Sequence, residues 1–207
     1  MGKITNLTPV RGISETWDVI EKLLPDIPGR VLDAGCGEHQ WEADGAEITR
    51  CDNWQKYAGQ RAIDEGVLNV DLQKLWPFKS KTFDGVIASD VVEHLENIWH
   101  FFREVFRVAR RYVIITTPNV ESAMSKQLFM EHGHLWGFHP EEREGSQHIT
   151  PVFPWQVHRA CDLARWHVTA WCFAHHPLGY GVARRYNITA LGQAPHNQRM
   201  LVMRLEP

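Results

Sequence analysis

The feature that most constrains this 207-residue chain is a short apolar run that stops on glycine: Arg30-Val-Leu-Asp-Ala-Gly, continuing as Gly35-Cys36-Gly37. Aliphatic residues bounded by Pro28-Gly29 on one side and by this loop on the other read as a buried strand entering a tight turn. The glycines permit positive φ and let a ligand approach the backbone closely. Similar runs recur downstream, and each ends at an acid. Glu47-Ile-Thr-Arg-Cys ends at Asp52, Leu68-Asn-Val-Asp-Leu ends near Asp71, and Phe83-Asp-Gly-Val-Ile-Ala-Ser ends at Ser89-Asp90. Tyr112-Val-Ile-Ile-Thr-Thr, stopped by Pro118, is so β-branched that it reads as a strand covered on both faces.

Helical patterns lie between and around these runs. Ile13, Trp17, Ile20 and Leu24 recur at helical spacing before Pro25. Ile98, Phe101, Phe102, Val105 and Val108 mark an apolar stripe, with Arg103, Glu104 and Arg107 expected off it. Helical character returns over 155–166, whereas 167–173 fits either a strand or a continuing helix. Alternating strand and helix signals imply an α/β fold with a mostly parallel sheet and helices on both faces. A terminal hairpin pairing 186–191 with 200–205 is expected to close it. From 120 to 152 the periodicity fails, which predicts a lid-like insertion in a single domain spanning 1–207.

Composition removes several classes. With 43% hydrophobic and 23% charged residues the chain can bury a core. A net charge of −3 argues against holding duplex nucleic acid on a broad basic face. No apolar run approaches the roughly 18 to 20 residues of a membrane span. The first residues lack the apolar stretch of a secretory signal, and Cys36, Cys51, Cys161 and Cys172 are dispersed. Reduced thiols in a cytoplasmic protein are therefore expected.

The ordered acids suggest what the glycine loop serves. In open α/β sheets ligands bind beyond the carboxyl ends of the strands. Asp33 in the loop can accept from a ligand amine. A carboxylate at Asp52-Asn53 can take both hydroxyls of a ribose, and Asp71 can accept from an exocyclic amine on adenine. The loop lacks the third glycine of the dinucleotide fingerprint.

Val31-Leu-Asp-Ala-Gly-Cys-Gly resembles the first motif of the class I S-adenosylmethionine-dependent methyltransferases. The segment from Phe83 through Asp90-Val-Val-Glu-His-Leu-Glu-Asn resembles their fourth strand and its exit, and Tyr112 to Pro118-Asn119 their fifth. The resemblance covers about residues 10–120. It implies a Rossmann-like seven-stranded sheet, mostly parallel, with an antiparallel last strand. It also implies S-adenosyl-L-methionine as cofactor: Asp33, Gly35, Cys36 and Gly37 on the methionine part, Asp52 and Asn53 at the ribose, Asp71 and Leu72 at the adenine, and Ser89 and Asp90 on the sulfonium side. Only ten residues separate Gly37 from Ile48, so the first crossover helix must be short or irregular.

Methyl transfer to a hydroxyl needs alignment and a base, and neutral imidazole is the natural base near pH 7. His94, four residues after Asp90, is the first candidate. His148 in Gln147-His-Ile-Thr-Pro-Val-Phe-Pro-Trp is the second, because that stretch resembles the one before the penultimate helix in many small-molecule methyltransferases. Trp136, Phe138 and Trp155 are candidates for an apolar wall. His132, His134 and His139 read as solvated lid residues. The acceptor expected is a small molecule bearing a hydroxyl, such as a sugar. As an alternative, Asp90, Glu93 and His94 with Pro118-Asn119 and His148 resemble the metal-binding arrangement of small-RNA 3′-terminal 2′-O-methyltransferases. That resemblance implies an RNA acceptor and a divalent ion. A methyltransferase fold kept as an inactive binding subunit is the third reading. Metal binding and oligomeric state stay open.

Overall fold

In the computed structural model the residues described are 16–37, 41–53, 66–139, 148–174 and 200–207. Seven strands form one sheet: β1 Gly29–Ala34, β2 Ala46–Asp52, β3 Leu68–Asn69, β4 Phe83–Ser89, β5 Ala109–Pro118, β6 His167–Ala174 and β7 Met200–Glu206. The order is β3-β2-β1-β4-β5-β7-β6. The first five strands run parallel, and β7 is antiparallel to both β5 and β6. The expected fold is therefore the one formed.

Helix α1, Thr16–Leu23, buries Val19, Ile20 and Leu23 against one face of the sheet, where Val31, Ile87, Ile114 and Val202 complete the core. On the other face lie α2, Ile98–Val108, and α4, Pro154–Ala164, over Val86, Val113 and Met203. Asn97 caps α2 by accepting from His100 N at 3.0 Å. β4 carries Gly85 because the Tyr112 ring crosses it: a Cβ there would lie 2.0 Å from that ring. Tyr112 then reaches on to donate to the Pro28 carbonyl at 3.2 Å.

Three expectations need correction, and one open alternative is resolved. Glu104 is buried at 5% exposure and does not face solvent. It accepts from Trp76 N at 2.9 Å and from Arg107 Nε at 2.9 Å, while Arg107 donates to the Phe78 carbonyl. This shared ion pair pins the 76–78 loop to α2, which a helical stripe cannot reveal. The third strand is only two residues long, since Asp71 turns the chain by accepting from Gln73 N. The ambiguous 167–173 run is a strand, and it is the arm paired with β7; residues 186–191 lie outside the described residues. Within 120–152, where no period was visible, α3 forms over Ala123–His132 between the Ser122 cap and Gly133 at φ 77°. Its buried residues are Met124, Ser125 and Leu128, so a serine occupies part of its inner face.

Candidate functional site

The strand order reverses direction between β1 and β4, so the loops leaving those two strands part there and open a crevice. Asp33, Asp52, Ser89 and Thr116 all sit at the carboxyl ends of their strands, on one edge of the sheet. Gly35 holds φ 77°, and a Cβ there would lie 2.5 Å from Val91, so the β1 and β4 exits touch. Gly37, at φ 56°, differs: among the described residues, nothing lies within 4 Å of a Cβ added there. The backbone at Gly37 thus faces open space that a ligand can enter.

Asp52 is 6% exposed. Its two carboxylate oxygens accept from Gly37 N at 2.7 Å and from Asn53 N at 2.6 Å. Each oxygen keeps a second lone pair, so the carboxylate is oriented without being used up. Asp33 is 2% exposed and accepts from the Trp41 indole N–H at 2.9 Å. Burial pushes its carboxyl up to about 7, against the opposing pull of the Trp41 hydrogen bond and Arg50. Cys36, on the same loop, is pushed up to about 12, first by burial and then by the neighbouring Asp33 and Asp52 charges.

The other cofactor candidates are engaged by the protein to different degrees. Asp71 accepts from Gln73 N and pairs with Lys74 Nζ at 3.0 Å, and Leu72 is packed in the core, its carbonyl accepting from Trp76 Nε1. The Ser89 hydroxyl lies 3.0 Å from the Thr116 hydroxyl. Asp90, at φ 57°, accepts from that same Thr116 hydroxyl at 2.7 Å. Thr116 therefore clamps the end of β4 to the end of β5, a role the sequence reading did not assign it.

A second cluster lies beside this crevice. A one-turn 3-10 segment, Val92–His94, follows Asp90. Ile149 N and Thr150 N both donate to the Glu93 carbonyl, at 2.9 and 3.0 Å, and the Thr150 hydroxyl donates to the Leu95 carbonyl at 2.6 Å. These bonds carry His148 onto Glu93 and His94. The His94 and His148 rings stand edge to face at 4.7 Å, and His148 Nε2 lies 3.9 Å from Glu93 Oε1. Ligand atoms of Glu93, His94 and His148 all fall within 4.8 Å of one another.

Glu93 is fully buried, and among the described residues no donor reaches either carboxylate oxygen in hydrogen-bonding geometry. Burial, reinforced by the Asp90 charge, pushes its carboxyl well above the usual range; the Thr117 hydroxyl nearby opposes this only in part. Asp90 does not join the cluster, because its carboxylate is turned to Thr116.

Gly137 and Phe138 back the cluster. Gly137 adopts φ 81°, and a Cβ there would lie 3.0 Å from His148 Nδ1; the Phe138 ring lies 5.4 Å from the His148 ring. The sequence offers no sign of Gly137's role. Trp136 is buried, with its N–H backbone donating to Ser125, while Trp155 is 60% exposed on α4. His132 stacks on His134, which meets His139 edge to face, and none of the three enters the cluster. All four cysteines are free thiols and buried. Among the described residues, no helix is long and apolar enough to cross a membrane.

Comparison with known proteins places the crevice in context. Residues 32–115 match the family model described as "Methyltransferase domain". No curated protein matches the sequence. Among solved structures, an S-adenosylmethionine-dependent methyltransferase from Mesorhizobium loti aligns with a TM-score of 0.57 at 17% identity, covering 92% of this chain and 97% of that one. Magnesium protoporphyrin IX methyltransferase from Synechocystis PCC 6803, with bound SAH, aligns at 0.55 and 16%, covering 92% and 78%. The [4+2]-cyclase SpnF aligns at 0.58 and 16%, covering 91% and 79%. At such identities the likeness is one of fold, and the cyclase among them underlines that this fold carries more than one chemistry.

Proposed function

We propose that this chain, built on a class I S-adenosylmethionine-dependent methyltransferase domain, methylates a hydroxyl oxygen of a small polar acceptor such as a sugar. The observation that carries the reading is the pairing of His94 with His148 at the rim of the crevice, over the sealed Glu93 carboxyl.

The crevice suits the cofactor. The open backbone at Gly37 is a cradle that any side chain would fill, and Asp52 offers two preset acceptors next to it. Asp33, Gly35, Cys36 and Gly37 would hold the methionine part, Asp52 and Asn53 the ribose, Asp71 and Leu72 the adenine, and Ser89 with Asp90 the sulfonium side. When bound, the cofactor supplies an electrophilic methyl group on sulfur. The rest falls to the chain's own groups. His94 or His148, as a neutral imidazole, takes the proton of the acceptor hydroxyl, whose own pKa lies far above 7. Gly137 and Phe138 back the ring of His148 and fix its direction.

A metal-dependent version of the same reaction is favoured by one specific observation. A carboxylate and two imidazoles converge within 4.8 Å, and among the described residues no donor meets the carboxylate in hydrogen-bonding geometry. That donor set suits a divalent ion such as Mg or Mn, held by Glu93, His94 and His148, which would orient and polarise acceptor hydroxyls. An RNA terminus is the acceptor in that version. One experiment separates the two: turnover of hydroxyl acceptors, sugar and RNA, with S-adenosylmethionine before and after EDTA. Turnover of a small acceptor that ignores EDTA supports the base mechanism. Loss with EDTA and recovery with Mn or Mg moves the three residues to metal ligation. Failure to bind S-adenosylhomocysteine at all would leave the third reading, an inactive binding subunit.

A further inference from the structure

The connection from β1 to β2 contains no helix among its described residues, and one tryptophan stands where such a helix would pack. Trp41 is 7% exposed, its ring stacks on Trp17 of α1 at 5.6 Å, and its carbonyl accepts from Arg50 Nη2 at 2.6 Å. So held, its indole N–H reaches Asp33 Oδ2 at 2.9 Å. An indole N–H donates and never accepts, so this contact favours the charged carboxylate and fixes its plane.

We propose that Trp41 is a positioning residue of the cofactor pocket: it packs on α1 from the β1–β2 connection and holds the Asp33 carboxylate charged and aimed at the amino group of the cofactor. The proposal rests on the cofactor reading above. It gives α1 a part in the pocket as well, because the Trp17 ring backs Trp41.

Among the described residues, four charged or titratable groups bear on Asp33. Arg50 and Asp52 come from β2, Cys36 from the glycine loop and Cys51 from β2, both thiols being held neutral by burial. Arg50 favours the Asp33 carboxylate, Asp52 opposes it, and burial opposes it most. With the carboxyl poised at about 7, the Trp41 donor has leverage on its charge near neutral pH. The folded-state ionisation lies on the path of a cationic ligand, so affinity rises with pH through that ionisation.

The test measures S-adenosylhomocysteine affinity by calorimetry from pH 6 to 8.5 for wild type, Trp41→Phe and Asp33→Asn, with the Asp33 carboxyl titrated directly by carbon NMR. In wild type, affinity should climb through about pH 7. Trp41→Phe keeps an aromatic ring and removes the donor, so the midpoint should rise by about one pH unit, with affinity about fivefold weaker at pH 7 and recovering toward pH 8.5. Asp33→Asn should flatten the profile. If Trp41→Phe weakens binding equally at every pH, or leaves the Asp33 titration where it was, Trp41 is packing only and the proposal falls. The NMR titration decides the matter even if the variant binds poorly. A wild type that binds no S-adenosylhomocysteine at any pH would instead sink the cofactor reading itself.

Discussion

The two halves of the crevice are built on opposite principles. On the β1–β2 side the Asp52 oxygens meet backbone N–H groups from their own loop neighbourhood, so they are oriented and partly satisfied before any ligand arrives. On the β4–β5 side Glu93 is sealed, with no donor among the described residues in hydrogen-bonding geometry to either oxygen, and its imidazole neighbour arrives from a segment 55 residues away in sequence, tied in by Thr150 and Leu95. A preset, satisfied pocket suits a ligand that is always the same. A buried carboxyl with unmet demand is costly and persists where an ion, a proton or a reacting group completes it.

The sharpest way to break this contrast is at the histidines. His94→Ala and His148→Ala should each lower kcat by about 100- to 10,000-fold, the range for loss of a positioned acid or base, while S-adenosylhomocysteine affinity stays within a factor of a few. Steady-state kinetics with parallel calorimetry measures both. Equal losses in affinity and kcat would merge the two halves into one site, and unchanged kcat would remove the histidines from the chemistry.

The next effect concerns stability on the preset side. Asp33 titrates near 7 in the folded protein against 3.8 as a free group, so between those values the folded state holds a proton the unfolded chain has lost. Wild-type stability from this group is therefore full at about pH 4 and falls as pH rises to about 7. Asp33→Asn keeps an acceptor for Trp41 and removes the charge. It should gain up to about 4 kcal/mol at pH 8 and nothing at pH 4, three pKa units at 1.36 kcal/mol each. Urea unfolding at both pH values checks this, and a gain independent of pH would assign the effect to packing.

Asp52→Ala should weaken S-adenosylhomocysteine binding by roughly 1 to 3 kcal/mol, as expected when a charge-assisted acceptor is lost. It also strands the Gly37 and Asn53 amides it now serves. Wild-type affinity in this variant would remove Asp52 from the ribose role.

The same contrast explains what the sequence made legible. The preset side is local: glycines, a strand and an acid within residues 29–53 carry their own signal, so the strand ends and the order of the acids were readable. The 3-10 turn and the cluster around Glu93 depend on backbone bonds between Glu93 and 149–150 that no period or spacing announces. His94 and His148 could be named singly, but not their 4.7 Å pairing. Trp41 carries no sequence signal of its role, because its partner is a carboxyl eight residues back across a turn. Helix α3 shows no apolar period because Ser125 sits on its buried face, where it accepts from Trp136 N and so serves a loop and not a hydrophobic stripe.

The smallest expected effect is the most discriminating. Thr150 belongs to the β4 side: its hydroxyl donates to the Leu95 carbonyl at 2.6 Å, next to the backbone bonds that seat His148. Thr150→Val keeps the shape and removes that one hydrogen bond. Stability should fall by about 1 kcal/mol, the usual net value of such a bond, plus the cost of an unmet carbonyl if water cannot reach it. If the acceptor side depends on this tether, kcat should drop several-fold because a small displacement of a base is amplified in turnover. S-adenosylhomocysteine affinity should not move, since no cofactor-side bond is changed. Thr150→Ser, which restores the donor, should recover kcat. A variant whose affinity falls together with kcat would mean that the 148–150 segment supports both halves, and that the division drawn here between a preset pocket and a tethered one does not describe the working site.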